Sequence, residues 1–257
     1  MFTGYNLVLP NTGLGSYLQI GEESYNRGGM VVKKVLSSFL DEDGGINAKK
    51  LQKSWFPEIK ASIFISHAHQ DKPKALNLAG WLWSEFRITS FIDSCVWGHA
   101  DDLLKRIDNK YCLNDDKKTY SYESRNKSTS HVHMILSIAL AMMLDKTECL
   151  FFLNTPASIA ASDVIYGNTT PSPWIYAEIA LSYLIRRKPL RDHRAQENQE
   201  LLKYATALDE ALNVNYKLNL SHLTDLSSSD LKSWNTQCTE ANATEIKALD
   251  ILYKFKP

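Results

Sequence analysis

Ser66, His67, His69 and Asp71 crowd the end of the stretch Ser62-Ile63-Phe64-Ile65-Ser66-His67-Ala68-His69-Gln70-Asp71. An apolar run that passes straight into polar groups reads as a short buried strand with chemistry at its carboxyl end. That is the end at which ligands bind in open α/β sheets. His67 and His69 could share one zinc ion, but a closed site needs at least a third ligand, for which His99, His131 and His133 are available. A second set lies far downstream. Trp174 and Glu178 are four residues apart, so in a helix they share one face, and the indole can shield the carboxylate from water. A Glu by itself on a helix is ordinarily a solvated charge, and a Trp there is as readily a core anchor as a ligand contact. Asp93 and Trp97 follow another apolar run, in a polar stretch from 93 to 101 where Trp97 could stack on a flat ring.

The elements that must position these residues can be read from periodicity. Short apolar runs at 62–66, 88–92 and 148–154 predict buried strands, the last containing Cys-Leu-Phe-Phe-Leu. Between them Ala75, Leu78, Ala79, Leu82 and Phe86 recur at helical spacing behind Pro73, which suits a first helical turn. Asp101 is expected to cap a helix through Leu103, Leu104 and Ile107. Residues 112–130 read as an inserted polar loop, after which Thr129 or Ser130 caps an apolar helix ending near Asp145. A long loop from 155 to 173 leads into a helix opening at Trp174 and running to about Arg187. The cations Arg186, Arg187, Lys188, Arg191 and Arg194 read as a solvated helix end and loop. Residues 195–212 are expected to be helical, 214–220 to form a strand, Ser227–Asp230 to break the chain, and Ile246, Leu249, Leu252 and Tyr253 to belong to a terminal helix. Strands alternating with helices predict a three-layer α/β fold, with a parallel central sheet of about four to five strands and helices on both faces.

Residues 1–58 stand apart. They hold most of the glycines, a helical pattern from about Met30 to Leu40, and a second short one from Lys49 to Trp55. They read as an N-terminal extension with a regulatory or docking role, ahead of a main domain at 59–257 with insertions near 112–130 and 188–213. The chain has 257 residues, 44% of them apolar, and a formal net charge of zero, a balance that argues against a nucleic-acid binder relying on a broad positive field. Its four cysteines are scattered, with no C-x-x-C pair. With neither a signal-peptide pattern nor an apolar run long enough to span a bilayer, the expectation is a cytoplasmic protein with no membrane partner.

Two resemblances compete for the histidine stretch. His67-x-His69-x-Asp71 is similar to the H-x-H-x-D-H signature of metallo-β-lactamase-like hydrolases, but the closing His is replaced by Lys72. The other resemblance spans several elements. Ile63-Phe64-Ile65-Ser66-His67 followed by Asp71 resembles the first strand of Toll/interleukin-1 receptor (TIR) domains. Phe91-Ile92-Asp93 resembles the second strand and its exit into the BB loop, Cys149 to Pro156 the buried strand ending V-L-S-P, and Trp174-x-x-x-Glu178 the W-x-x-x-E helix start. Together they cover roughly residues 59–190.

This resemblance implies a flavodoxin-like TIR fold and NAD+ as substrate, with no metal. The chain is thereby similar to bacterial antiphage (Thoeris-like) TIR proteins, in which an NAD+ nucleosidase or ADP-ribosyl cyclase acts in immune signalling. It implies Glu178 as the catalytic carboxylate, with Ser66, His67, Asp93, Trp97 and Trp174 as ligand-binding candidates. Self-association through TIR surfaces is the expected partner, with an effector or sensor protein as a further one. The alternatives are a non-catalytic TIR scaffold and, behind it, a zinc hydrolase using His67 and His69.

Overall fold

The computed structural model describes residues 1–10, 14–28, 46–48, 50–51, 60–92, 94–159, 168–194 and 216–257. Its strands are β1 (Thr3–Val8), β2 (Ile63–Ser66), β3 (Ser90–Ile92), β4 (Cys149–Leu153), β5 (Thr169–Thr170), β6 (Tyr216–Lys217) and β7 (Thr224–Ser227). Five of them form one sheet in the order β3-β2-β4-β1-β7, and every pair in it is parallel. β5 and β6 form a separate antiparallel pair. The expected three-layer α/β architecture is therefore present.

Alternation along the strands assigns the layers. Tyr5, Leu7, Ile63, Ile65, Phe151 and Leu153 point to one face. That face is covered by α1 (Leu18–Gly28), α2 (Lys72–Phe86), α7 (Ser228–Glu240) and α8 (Glu245–Phe255). Phe64, Leu150 and Phe152 point to the other face, against α3 (Ser94–Tyr111), α4 (Tyr122–Lys146) and α5 (Pro173–Leu184). α6 (Leu190–Arg194) is a single short turn. β2 and β4 are neighbours, yet the chain leaves β2 for α2 on one face and reaches α5 on the other after β4. The crevice at their carboxyl ends is thus a topological switch point, where open parallel sheets take their ligands.

Several elements differ from expectation. β1 arises within the segment read as an extension, and it is an interior strand between β4 and β7. The helices expected near 30–40 and 195–212 lie outside the described residues. α4 begins eight or nine residues earlier than a cap at Thr129 or Ser130 would start it, because Ser121 caps it by accepting from the Ser124 N–H and because Asp108 of α3 grips its first turns. Ser128 Oγ donates to Asp108 Oδ1 at 2.5 Å, and Arg125 Nε donates to Asp108 Oδ2 at 2.9 Å. Of the strand expected at 214–220, the described residues begin at 216, and among them only β6 is strand. The sheet takes 224–227 instead.

Nor do the downstream cations form a purely solvated cluster. Lys188 pairs with Asp145, and Arg194 reaches Glu148 at 3.3 Å and Asp250 at 2.7 Å. A carboxylate as buried as Glu148 requires such a partner.

Ser227 to Asp230 does not break the chain but starts α7 through a capping box. The Asp230 N–H donates to Ser227 Oγ, and the Ser227 N–H donates to Asp230 Oδ2 at 2.8 Å. Burial works against ionisation of Asp230, but the hydrogen bonds from Ser227 and the charge of Lys256 outweigh it, so its carboxyl titrates below its ordinary range. The native state therefore binds this proton less readily than the unfolded chain. The contribution is present above the ordinary carboxylate range and is lost as pH falls through the depressed native value. Ser227→Ala is expected to cost about 1 kcal/mol, read as a lower urea midpoint at pH 7. The penalty should shrink at strongly acidic pH, where Asp230 no longer accepts as an anion.

Candidate functional site

The site is built where β2 ends. Ile63 and Ile65 are buried on one face of the sheet, so Phe64 and Ser66 point to the other, toward α5. α5 starts sharply because Ser172 caps it, accepting from the Ile175 N–H, and Pro173 opens its first turn. Ile175 and Ile179 then seat the helix on the sheet, and Glu178, between them on the inner side, is carried to the end of β2. Ser66 Oγ donates to Glu178 Oε2 at 2.6 Å. Neither residue has any exposed surface (both 0%). Glu178 is thus buried, not the solvated charge that a lone Glu on a helix ordinarily is. What the arrangement can do chemically is hold one carboxyl group, shielded from water, beside the carboxyl ends of two parallel strands.

His67 follows directly and is buried, whereas His69 is exposed and begins a short 3-10 turn, His69–Asp71. The two imidazoles therefore face different environments. Among the described residues no group of three or more His, Cys, Asp or Glu could hold a metal ion. Asp71 is already engaged: Thr155 Oγ1 donates to it at 2.5 Å and Lys74 Nζ lies 2.9 Å away. Thr155 follows β4, so this bond ties the turn after β2 to the turn after β4 and fixes both sides of the crevice. Ser158 continues the clamp, donating to the Leu153 carbonyl at 2.8 Å. Sequence reading passed over Thr155 and Ser158 because they sit in a stretch that looks like any Ser/Thr-rich loop.

Trp174 is half-buried, one turn before Glu178, and its ring meets His133 of α4 edge-on with centroids 5.5 Å apart. It packs on the core beneath α5. Asp93 lies outside the described residues, as does the side chain of Trp97. The backbone at 97 belongs to α3, which is helical from Ser94, so the polar loop expected to carry Trp97 is replaced by a helix. Of the candidate residues, the structure brings together Ser66 and Glu178, with His67 next to Ser66 in the chain and Trp174 one turn before Glu178 on the same helix.

With Ser66→Ala, Glu178 loses this donor while remaining buried. The expected cost is about 1–3 kcal/mol, seen as a lower denaturation midpoint with an unchanged slope.

No protein-family model, curated protein or solved structure matches the chain. Among the described residues no helix is long and apolar enough to cross a membrane.

Proposed function

We propose that the chain is a TIR-type NAD+ glycohydrolase or cyclase whose reactive carboxylate is Glu178. The observation that carries this reading is the delivery of Glu178 by α5 to the end of β2, at the switch point between β2 and β4. The likeness of the 59–190 motifs to TIR domains supports it. In hydrolysis the bond from ribose C1′ to the nicotinamide nitrogen breaks, and its electron pair leaves with nicotinamide, which departs neutral. The ribose passes through an oxocarbenium-like state, water adds to C1′, and one proton is released. In cyclisation a nucleophile of the same molecule replaces the water. A fixed carboxylate stabilises the developing positive charge and can hold a ribose hydroxyl, the division of labour seen in glycosidases. Ser66 positions that carboxylate and Trp174 keeps water from one side of it. On the same resemblance, the activity would serve bacterial antiphage signalling and depend on self-association.

Because Glu178 is fully buried, substrate entry on this reading requires the Ser66–Glu178 contact to open. The same burial favours a second reading, a non-catalytic TIR scaffold in which the pair only anchors α5 to the sheet. The deciding experiment follows nicotinamide release from NAD+ by concentrated protein, with Glu178→Gln as control. Release that depends on Glu178 supports the enzyme. Release indifferent to the substitution would sink the assigned mechanism, and no release would favour the scaffold.

A further inference from the structure

The last rung to which β2 contributes is polar well beyond Ser66. Strand register places Ser66 of β2 beside Phe152 of β4, Phe152 beside Asn6 of β1, and Asn6 beside Asp225 of β7. Residues paired in this way project to the same face of a parallel sheet. The rung therefore runs from the Ser66–Glu178 pair, over the buried ring of Phe152, to a second polar group. There Asn6 Nδ2 donates to Asp225 Oδ1 at 2.9 Å, and Asn154 Nδ2, one residue beyond β4, donates to Asn6 Oδ1 at 3.0 Å. Asn6 and Asn154 are half-buried and Asp225 is exposed.

An Asn on the final rungs of an interior strand is a poor strand former. Holding it there creates an ordered row whose outward groups are specific. Each carboxamide spends a donor inside the row, leaving Asp225 Oδ2 and Asn154 Oδ1 as acceptors that the row itself does not use. Two fixed acceptors, one of them anionic, suit a ligand presenting adjacent hydroxyl donors. With strands about 4.8 Å apart, Asn6 lies about 10 Å and Asp225 about 14 Å along the rung from Ser66, a separation that a diphosphate-linked dinucleotide can bridge.

We propose that Asn6, Asn154 and Asp225 form a subsite for the cis-diol of the adenosine ribose, at the far end of a dinucleotide whose other ribose lies at Glu178. The subsite rests on the NAD+ reading for the identity of its ligand. It adds residues from β1 and β7, outside the stretch that carries the TIR likeness.

The test is calorimetric titration of the full chain with ADP-ribose and, separately, with nicotinamide mononucleotide, which lacks the adenosine. Asp225→Ala should weaken ADP-ribose binding at least about tenfold, the effect of a hydrogen bond to a charged group. It should leave nicotinamide mononucleotide binding unchanged. Asp225→Asn keeps an acceptor for Asn6 and should retain the wild-type melting temperature while also weakening ADP-ribose, which separates loss of the ligand contact from loss of fold. Equal ADP-ribose affinity in wild type and both variants overturns the subsite, as does failure of the wild type to bind ADP-ribose. Nicotinamide release that needs Glu178 but is indifferent to Asp225, in both KM and kcat, overturns the subsite alone. ADP-ribose binding that needs Asp225, from a protein whose nicotinamide release ignores Glu178, supports the subsite and overturns the catalytic assignment instead.

Discussion

Glu178→Gln is expected to lower the rate of nicotinamide release by at least about a hundredfold, the scale on which a single electrostatic contact to a transition state is worth. The substitution keeps size and shape, so Ile175 and Ile179 should still seat α5 and Ser66 should still find an acceptor in the amide oxygen. What disappears is the negative charge. Since that charge matters only once positive character develops on the ribose, the loss should fall on kcat, with KM little changed. Single-turnover measurements at saturating NAD+ check the split. An equal loss in Glu178→Gln and Ser66→Ala, with matching falls in stability, would instead mark the pair as a structural anchor and return weight to the scaffold.

The largest stability effect is expected far from the site, where α1 crosses α2. A Cβ added at Gly80 would lie 2.1 Å from the Tyr17 carbonyl oxygen and 2.7 Å from the Gly21 nitrogen, and one added at Gly21 would lie 1.9 Å from the Leu76 carbonyl oxygen. All of these are backbone atoms, so no side-chain rotation relieves the overlap. The Asn77 carboxamide pins the approach further, accepting from the Tyr17 N–H at 2.7 Å. The Tyr17 hydroxyl donates to Glu85 at 2.9 Å, a bond that holds the phenol's pKa above its ordinary value. By helix propensity alone Gly80→Ala should stabilise by about 1 kcal/mol. The enforced separation of two packed helices outweighs that gain, and a net loss of about 3 kcal/mol is expected, read from the urea midpoint. Gly21→Ala should act through the same crossing. The double variant should therefore lose less than the sum of the two single losses.

Where burial alone dictates residue type, the fold was legible. β2 and β4 read as strands because residues covered on both faces are apolar in an unbroken run, and α2 because its sequence alternates at helical spacing. β1 was not legible. Gly4 and Asn6 interrupt its apolar pattern, and the glycine has a packing cause: a Cβ there would lie 2.6 Å from Leu223 Cδ2. β7 has one deeply buried apolar residue, Leu226, too little for a strand signal, and its continuation Ser227–Asp230 has the composition of a turn while acting as a cap. At the site, the types of Ser66 and Glu178 were visible and their meeting was not. It depends on the rotation and height of α5 against β2, which Ile175, Ile179 and the Ser172 cap set through tertiary contact. The Asn6–Asp225 contact was hidden for the same reason, since it depends on a strand that the local pattern conceals.

The position of β1 has a consequence for how the sheet is assembled. This strand precedes both of its neighbours in the chain, and they are supplied by 149–153 and 224–227. Its apolar residues Tyr5 and Leu7 must wait for distant segments before they are covered, a high-contact-order closure that slows folding. The β3-β2-β4 half can form from one stretch of chain, and β1 then docks against it to make the edge on which β7 adds. A chain deprived of residues 3–8 would keep strands for both flanks and nothing to join them. Its β4 would become an unpaired, apolar edge, the kind of surface through which sheets aggregate.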